Sequence, residues 1–189
     1  MISKFAFEKT EIDNLMVIHP FIAEDERGFF MKTYEKHIFE EHGIFLENAE
    51  DMTSFSHKGV LRGLHFQTQH SQDKLIRVLH GEAWDVAVDL RKDSRTYGQW
   101  KGFYLSETNR NAIYIPSGFA HGFLALSEGV IFSYRCGQEY APEYDTGIIW
   151  NDPELAVEWP LEKIEKQIVS EKDQKLQSFA EFQKKYKGF

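Results

Sequence analysis

Lys74-Leu75-Ile76-Arg77-Val78-Leu79-His80-Gly81-Glu82-Ala83-Trp84-Asp85-Val86-Ala87-Val88-Asp89-Leu90 is the stretch that decides the fold. Residues 75–79 are rich in apolar side chains, His80-Gly81 can turn, and Trp84, Val86, Val88 and Leu90 then alternate with Asp85, Ala87 and Asp89. A period of two predicts a half-buried strand with two unlike faces. On that strand Asp85 and Asp89 share a face, which can look into a pocket or carry surface ion pairs. Residues 15–20 read as a further strand stopped by Pro20, residues 29–34 as another, and 100–105, 112–115, 123–126 and 130–134 continue the series. Short strands at this spacing point to a sandwich or barrel, the jelly roll included. Helix is expected at about 34–41, closed by Gly43, and again in the tail. There Ser170-Glu171-Lys172-Asp173 has the form of a capping box, followed by Leu176, Phe179, Phe182 and Tyr186 at helical spacing. The expected architecture is all-β, a jelly-roll barrel with short peripheral helices and a C-terminal helix.

Composition narrows the function classes. The chain has 189 residues, 42% of them hydrophobic, which is enough for one sizeable core and too rich for disorder. Sixteen phenylalanines suit a β-rich core. No internal repeat or Pro/Gly/Ser linker divides the sequence, so residues 1–189 read as one domain. No run approaches the roughly 20 apolar residues of a membrane helix, and the N-terminus lacks the long apolar stretch of a secretory signal. Cys136 stands alone and cannot form an internal disulfide, so the cytoplasm is the expected compartment. A net charge of −8 argues against a general nucleic-acid binder, and an anionic ligand would have to be held by local arginines.

Two clusters carry chemistry. In Arg62-Gly63-Leu64-His65-Phe66-Gln67 a histidine lies where the backbone can come close to a ligand, although a buried, hydrogen-bonded histidine fits the same residues. Pro116-Ser117-Gly118-Phe119-Ala120-His121-Gly122 is similar to the second signature of the cupin barrel, whose histidine points inward, often at a metal. A metal cupin pairs it with His-x-His and a carboxylate; here His65 is followed at that spacing by Gln67, so no metal site is expected. Without a metal the histidines suit proton transfer or plain binding. Abstraction of a proton from carbon needs a base, an electrophile for the enolate and an acid. His65, Lys74 and Tyr140 supply those residue types, but spacing alone does not bring them together.

Taken in order along the chain, the motifs resemble the dTDP-4-dehydrorhamnose 3,5-epimerase family (the RmlC-type nucleotide-sugar epimerases). The resemblance rests on residues 26–30, 58–67, 74–78, 85–91, 115–123, 140–143, 150–153, 159–160 and 170–173, and so covers most of the chain. It implies a metal-free, cofactor-free cupin-like homodimer acting on a nucleotide-diphosphate keto sugar, with the N-terminal strands exchanged between subunits. It makes His65 the base, Asp173 its partner, Tyr140 the acid on the opposite sugar face and Lys74 the enolate stabiliser, with His121 nearby. Arg27 and Arg62 would hold the diphosphate, where bidentate bonding favours arginine. Phe29, Lys32, Glu50, Met52 and Gln67 would complete the substrate contacts.

The sequence also departs from the family pattern. Lys32 replaces a glutamate that helps to recognise thymine, and an ammonium cannot accept the hydrogen bond that a carboxylate accepts. Glu50 and Met52 replace two amides of the sugar pocket, and the segment 68–73 lacks a proline pair. These changes suggest a GDP-linked 4-keto-6-deoxy-heptose beside the dTDP-hexose default. A sugar 3,4-ketoisomerase of the same fold and a non-catalytic sugar-nucleotide binding module are the competing functions. Bland roles also exist for single residues: Asp173 as a helix cap, Tyr140 as a turn aromatic, Lys74 as a solvated strand end.

Overall fold

The computed structural model describes residues 4–47 and 49–189. Along the chain run β1 (Ala6–Lys9), β2 (Met16–His19), β3 (Phe21–Asp25), β4 (Gly28–Lys32), α1 (Lys36–Glu41), β5 (Glu50–Ser56), β6 (Val60–Gln67) and β7 (Lys74–His80). There follow β8 (Glu82–Asp89), β9 (Trp100–Ser106), β10 (Ala112–Ile115), β11 (Phe119–Ala125), β12 (Val130–Cys136), β13 (Asp145–Gly147), β14 (Ile168–Val169) and α2 (Phe179–Tyr186). One sheet has the order β1-β2-β10-β7-β12-β5 and the other β13-β6-β11-β8-β9, with β14 parallel to β6. From β5 to β12 the chain passes back and forth between the sheets, interrupted only by the β8–β9 hairpin. This is the all-β jelly-roll arrangement that the strand spacing predicts.

Apolar side chains fill the space between the sheets. Ile76, Val78, Ile113, Ile115 and Phe132 on one side meet Ala87, Phe103, Leu105, Phe119 and Phe123 on the other. The second sheet is covered on its outer face as well: Leu61, Leu64, Phe66, Val86, Val88 and Leu90 pack with Trp159, Phe179 and Phe182 from the C-terminal segment. The half-buried reading of the strand at 84–90 is therefore corrected. Both faces are buried, and the acidic one is the face turned into the barrel, because the tail shields the valines from water. Asp85 and Asp89 are both fully buried, so neither makes a surface pair. Asp89, at the strand end, accepts from Arg91, Ser94 and Thr96.

The expected capping box is also displaced. Ser178 Oγ accepts from the Glu181 amide and the Glu181 carboxylate accepts from the Ser178 amide, so the tail helix begins at Phe179. Ser170 Oγ does accept from the Asp173 amide at 3.0 Å, yet the chain there makes only a short 3-10 turn at Asp173–Lys175. At the other helix, α1 starts at Lys36, two residues later than expected, and Gly43 has φ +79°.

The hairpin β3–β4 forms a two-stranded sheet of its own. It presents Phe29 and Phe30, 51% and 64% exposed.

Truncating Phe182, fully buried between α2 and the second sheet, removes the centre of the outer cluster. Phe182→Ala should cost about 3–5 kcal/mol of unfolding free energy in urea titration, as large-to-small core changes do.

Candidate active site

The site is built from the inner faces of the two sheets. On β6, Leu61, Leu64 and Phe66 belong to the outer cluster, which leaves Arg62, His65 and Gln67 on the opposite face. The three-residue step from Arg62 to His65 is made by Gly63, which has φ +109°. A Cβ on Gly63 would lie 2.6 Å from the Gly122 Cα and the His121 carbonyl, so glycine is required for β6 and β11 to approach this closely. The ladder between them sets His65 directly beside His121.

Each histidine has its own carboxylate. His65 Nε2 lies 2.8 Å from Asp173 Oδ1, and Asp173 Oδ2 accepts from the Gly63 amide at 3.2 Å. Burial pushes the Asp173 carboxyl up, but the bonds to His65, Gly63 and Ser170 outweigh it and hold the group below its ordinary value. The imidazole of His65 is one-third exposed, and its Nδ1 has no hydrogen-bond partner among the described residues. His121 Nε2 lies 2.6 Å from Asp85 Oδ2, and both groups are buried. Burial raises the Asp85 carboxyl above its ordinary value against the pull of His121 and Lys74, and its Oδ1 has no partner among the described residues.

Across the barrel, β7, β12 and β5 align in register. Lys74, Cys136 and Glu50 form one row, and Ile76, Tyr134 and Met52 the next on the same face. The Lys74 ammonium makes no hydrogen bond or ion pair among the described residues. Desolvation lowers its ammonium pKa, opposed by Cys136, Asp145, Asp85 and Asp73. Glu50 accepts from the Gln72 amide at 3.2 Å. Tyr134 points inward, its ring 6.2 Å from the His121 ring and its hydroxyl 3.3 Å from Ser54 Oγ. Burial raises its phenol well above the usual value.

Tyr140 lies at the mouth. It is half-exposed, its hydroxyl donates to Asp145 Oδ2 at 3.2 Å, and it lines a cleft of about 580 Å³ whose lining includes neither His65 nor Lys74. Gln67 fastens this loop to β6: its amide donates to the His70 and Glu139 carbonyls and its oxygen accepts from the Ala141 amide. Arg62 donates to Ser56 Oγ and the Phe55 carbonyl, both at 3.2 Å.

Arg27, Phe29 and Lys32 are on the separate hairpin. Arg27 pairs with Asp25, Phe29 lies under the Arg110 guanidinium at 3.9 Å, and Lys32 pairs with Glu35 at 2.6 Å. The structure thus gathers His65, Asp173, His121, Lys74, Glu50 and Met52 around one interior and leaves the hairpin residues apart from it within this chain. Among the described residues no group of three or more His, Cys, Asp or Glu side chains is arranged to hold a metal ion.

The model of the dTDP-4-dehydrorhamnose 3,5-epimerase family matches residues 9–181. The chain belongs to that family. It is 52% identical over 171 residues to the dTDP-4-dehydrorhamnose 3,5-epimerase of Methanothermobacter thermautotrophicus, covering 90% of this chain and 92% of the relative. Among solved structures, the dTDP-6-deoxy-D-glucose-3,5-epimerase of Legionella pneumophila, in complex with dTDP-4-keto-L-rhamnose, superposes with a TM-score of 0.89 at 46% identity over 92% of both chains. NovW of Streptomyces spheroides, a 4-keto-6-deoxy sugar epimerase, gives 0.90 at 33% identity, over 97% of this chain and 92% of its own. These relatives agree with the family that the sequence motifs resemble.

Two side chains escaped the sequence reading. Tyr134 lies in a strand whose inner positions alternate Phe132, Tyr134 and Cys136, and placing the inner face of β12 would have singled it out. Asp145 carries no local signal, because its partners come from a loop and from the tail.

The lowered Asp173 carboxyl makes a signed prediction about stability. Its contribution is fully present above the unfolded value near 3.8 and is lost as pH falls through the lower folded value. Asp173→Asn should therefore be less stable than wild type at neutral pH, and urea midpoints of the two proteins should converge as pH drops below about 4.

Proposed function

We propose that this chain inverts a carbon next to the ketone of a nucleotide-linked 4-keto-6-deoxy sugar, in the making of a deoxy sugar. The observation that carries the reading is the His65–Asp173 pair facing Lys74 across one barrel. His65 Nδ1 takes the proton from C3 or C5, while Asp173 fixes the tautomer and stabilises the imidazolium, which is worth about 10²–10⁴-fold in rate. The electron pair left on carbon becomes the C3=C4 or C4=C5 bond, and the C4 oxygen becomes negative. Lys74, with His121 beside His65, stabilises that oxygen where water is scarce. Return of a proton to the opposite face gives the epimer. Substrate and product are isomers, so no redox partner is consumed.

Two phenols are candidates for that return. The family resemblance names Tyr140, whereas Tyr134 has the more favourable placement: it is inside the barrel, on the Lys74 face, with its ring 6.2 Å from that of His121. In this reading Tyr134 protonates carbon and Tyr140 closes the mouth.

The nucleotide is dTDP in this proposal, supported by the dTDP-sugar held by the Legionella relative. Arg62 and Arg27 hold the diphosphate, and Glu50, Met52 and Gln67 shape the sugar side. Arg27, Phe29 and Lys32 reach the ligand from a second copy of the chain, since their hairpin leaves its aromatic residues exposed here.

Incubation with dTDP-4-keto-6-deoxyglucose in deuterated water should place deuterium at C3, C5 or both, read by NMR. His65→Asn should abolish the exchange. Tyr134→Phe should cut epimer formation by about 10²-fold or more while leaving exchange at the abstraction face, and Tyr140→Phe should do less. A ketone moved to C3 would instead identify a ketoisomerase. Exchange seen only with a GDP-4-keto-6-deoxy-heptose would reassign the base that Lys32 meets.

A further inference from the structure

Asp145 has no part in the chemistry above, yet both ends of the site meet at its carboxylate. It opens β13, opposite Gln67 in the ladder, and Gly147 two residues on lies opposite His65. Its Oδ2 accepts from the Tyr140 hydroxyl at 3.2 Å and from the Lys172 ammonium. Lys172 is the residue immediately before Asp173, the partner of His65. The burial is unequal: the Asp145 side chain is 13% exposed, whereas that of Lys172 is 55% exposed. A carboxylate drawn this far from water by an exposed lysine gains little stability from the pair, because desolvation offsets much of the attraction. A role in stability alone therefore accounts poorly for the arrangement.

We propose that Asp145 is a positioning residue of the reaction, whose Oδ2 ties the Tyr140 phenol at the mouth to the turn that carries Asp173. The inference rests on the functional reading given above and deepens it. With Asp145 in place, the loop after Glu139 and the Ser170–Asp173 turn move as one body, so the mouth and the base–carboxylate pair keep one geometry. Asp145 also opposes the desolvation of Lys74, which favours the protonated ammonium that an enolate oxygen requires. Cys136 on β12, Asp85 on β8 and Asp73 just before Lys74 in the chain oppose that desolvation too, and Glu50 on β5, Tyr134 on β12, His65 on β6 and His121 on β11 face the same interior. The ladder partner of Lys74 on β10 is the uncharged Ile115. Removing the Asp145 charge should lower the Lys74 pKa further, so the protonated form is lost at a lower pH.

The test is made on the full chain with dTDP-4-keto-6-deoxyglucose, measuring kcat and KM from pH 6 to 10 for wild type, Asp145→Asn and Asp145→Glu. Asp145→Asn should lose about 10–100-fold in kcat, the scale on which small misplacements act, with little change in KM. Its alkaline limb should move to lower pH, and Asp145→Glu should recover part of both effects. A folded Asp145→Asn protein with wild-type kcat and an unmoved alkaline limb overturns the proposal. Should circular dichroism show Asp145→Asn unfolded, Lys172→Gln decides: its exposed side chain can be changed without unfolding the chain, and kcat should fall at unchanged Tm. An unchanged kcat there overturns the proposal. Absence of deuterium uptake by the wild-type protein would overturn the functional reading itself, and this inference with it. Uptake by wild type with indifferent variants removes only the role of Asp145.

Discussion

The hydrogen bond between His65 Nε2 and Asp173 Oδ1 is the constraint on which the proposed site depends. Its partners are 108 residues apart, so it forms only when the tail is laid against the second sheet. That tail brings Trp159, Phe179 and Phe182 onto an apolar face that β6, β8 and β11 would otherwise show to water. Burying that face is the dominant source of stability for the tail, since apolar area removed from water scales with stabilisation. The carboxylate thus reaches the histidine because a hydrophobic surface, well away from the ligand, fixes the segment that bears it. The Gly63 amide then binds the other carboxylate oxygen and Ser170 Oγ accepts from the Asp173 backbone amide, so that one ring nitrogen of His65 is bound and the other is free.

The two histidines stand side by side, yet their carboxylates are held in opposite senses. Asp173 accepts from the Gly63 amide, lies against His65 Nε2 and falls below its ordinary pKa, so it stays charged beside His65. Asp85 lies deeper, keeps one oxygen unpartnered and rises above its ordinary value. In the proposed reaction the first arrangement suits a base whose imidazolium needs a fixed anion. The second holds a ring rigidly at the enolate side, and Lys74 supplies the positive charge that Asp85 and His121 cannot. Opposite environments for neighbouring pairs are how one pocket separates the giving and taking of protons.

Much of this was legible in the sequence, and the failures have physical causes. Strand positions followed from period-two alternation, which is a local property. Which face of β8 looks inward did not follow, because a solvent-facing strand and one covered by a distant tail show the same alternation. Asp85 and Asp89 fit a pocket or the surface equally well until the tail turns the valine face into a second core. The helix cap was misplaced for a related reason. Ser170–Asp173 and Ser178–Glu181 both have the spacing of a box, and both serines do accept the amide three residues on. Only the second box leads into a sequence that can bury Phe179 and Phe182. Asp173 met its partner through the family resemblance, whereas Tyr134 and Asp145 depend on ladder register and loop contacts that no short motif encodes.

Charge sets the remaining problem. A chain of net charge −8 repels a nucleotide diphosphate at long range, and salt screens exposed charges beyond about 8 Å. Recognition must therefore be short-ranged, made by arginines already aimed at the ligand. Arg62 meets this need, because its donation to Ser56 and the Phe55 carbonyl holds the guanidinium without neutralising it. Arg27 does not, being 85% exposed and paired with Asp25 in the isolated chain. A hairpin with an exposed arginine, two exposed phenylalanines and its own two-stranded sheet is, in the proposed reading, the element that docks on a second copy. In the proposed dimer that copy offers its barrel, so the residues that read the nucleotide and those that move the proton come from different copies. Such a division lets Lys32 change what is recognised without disturbing His65, Asp173 or Lys74.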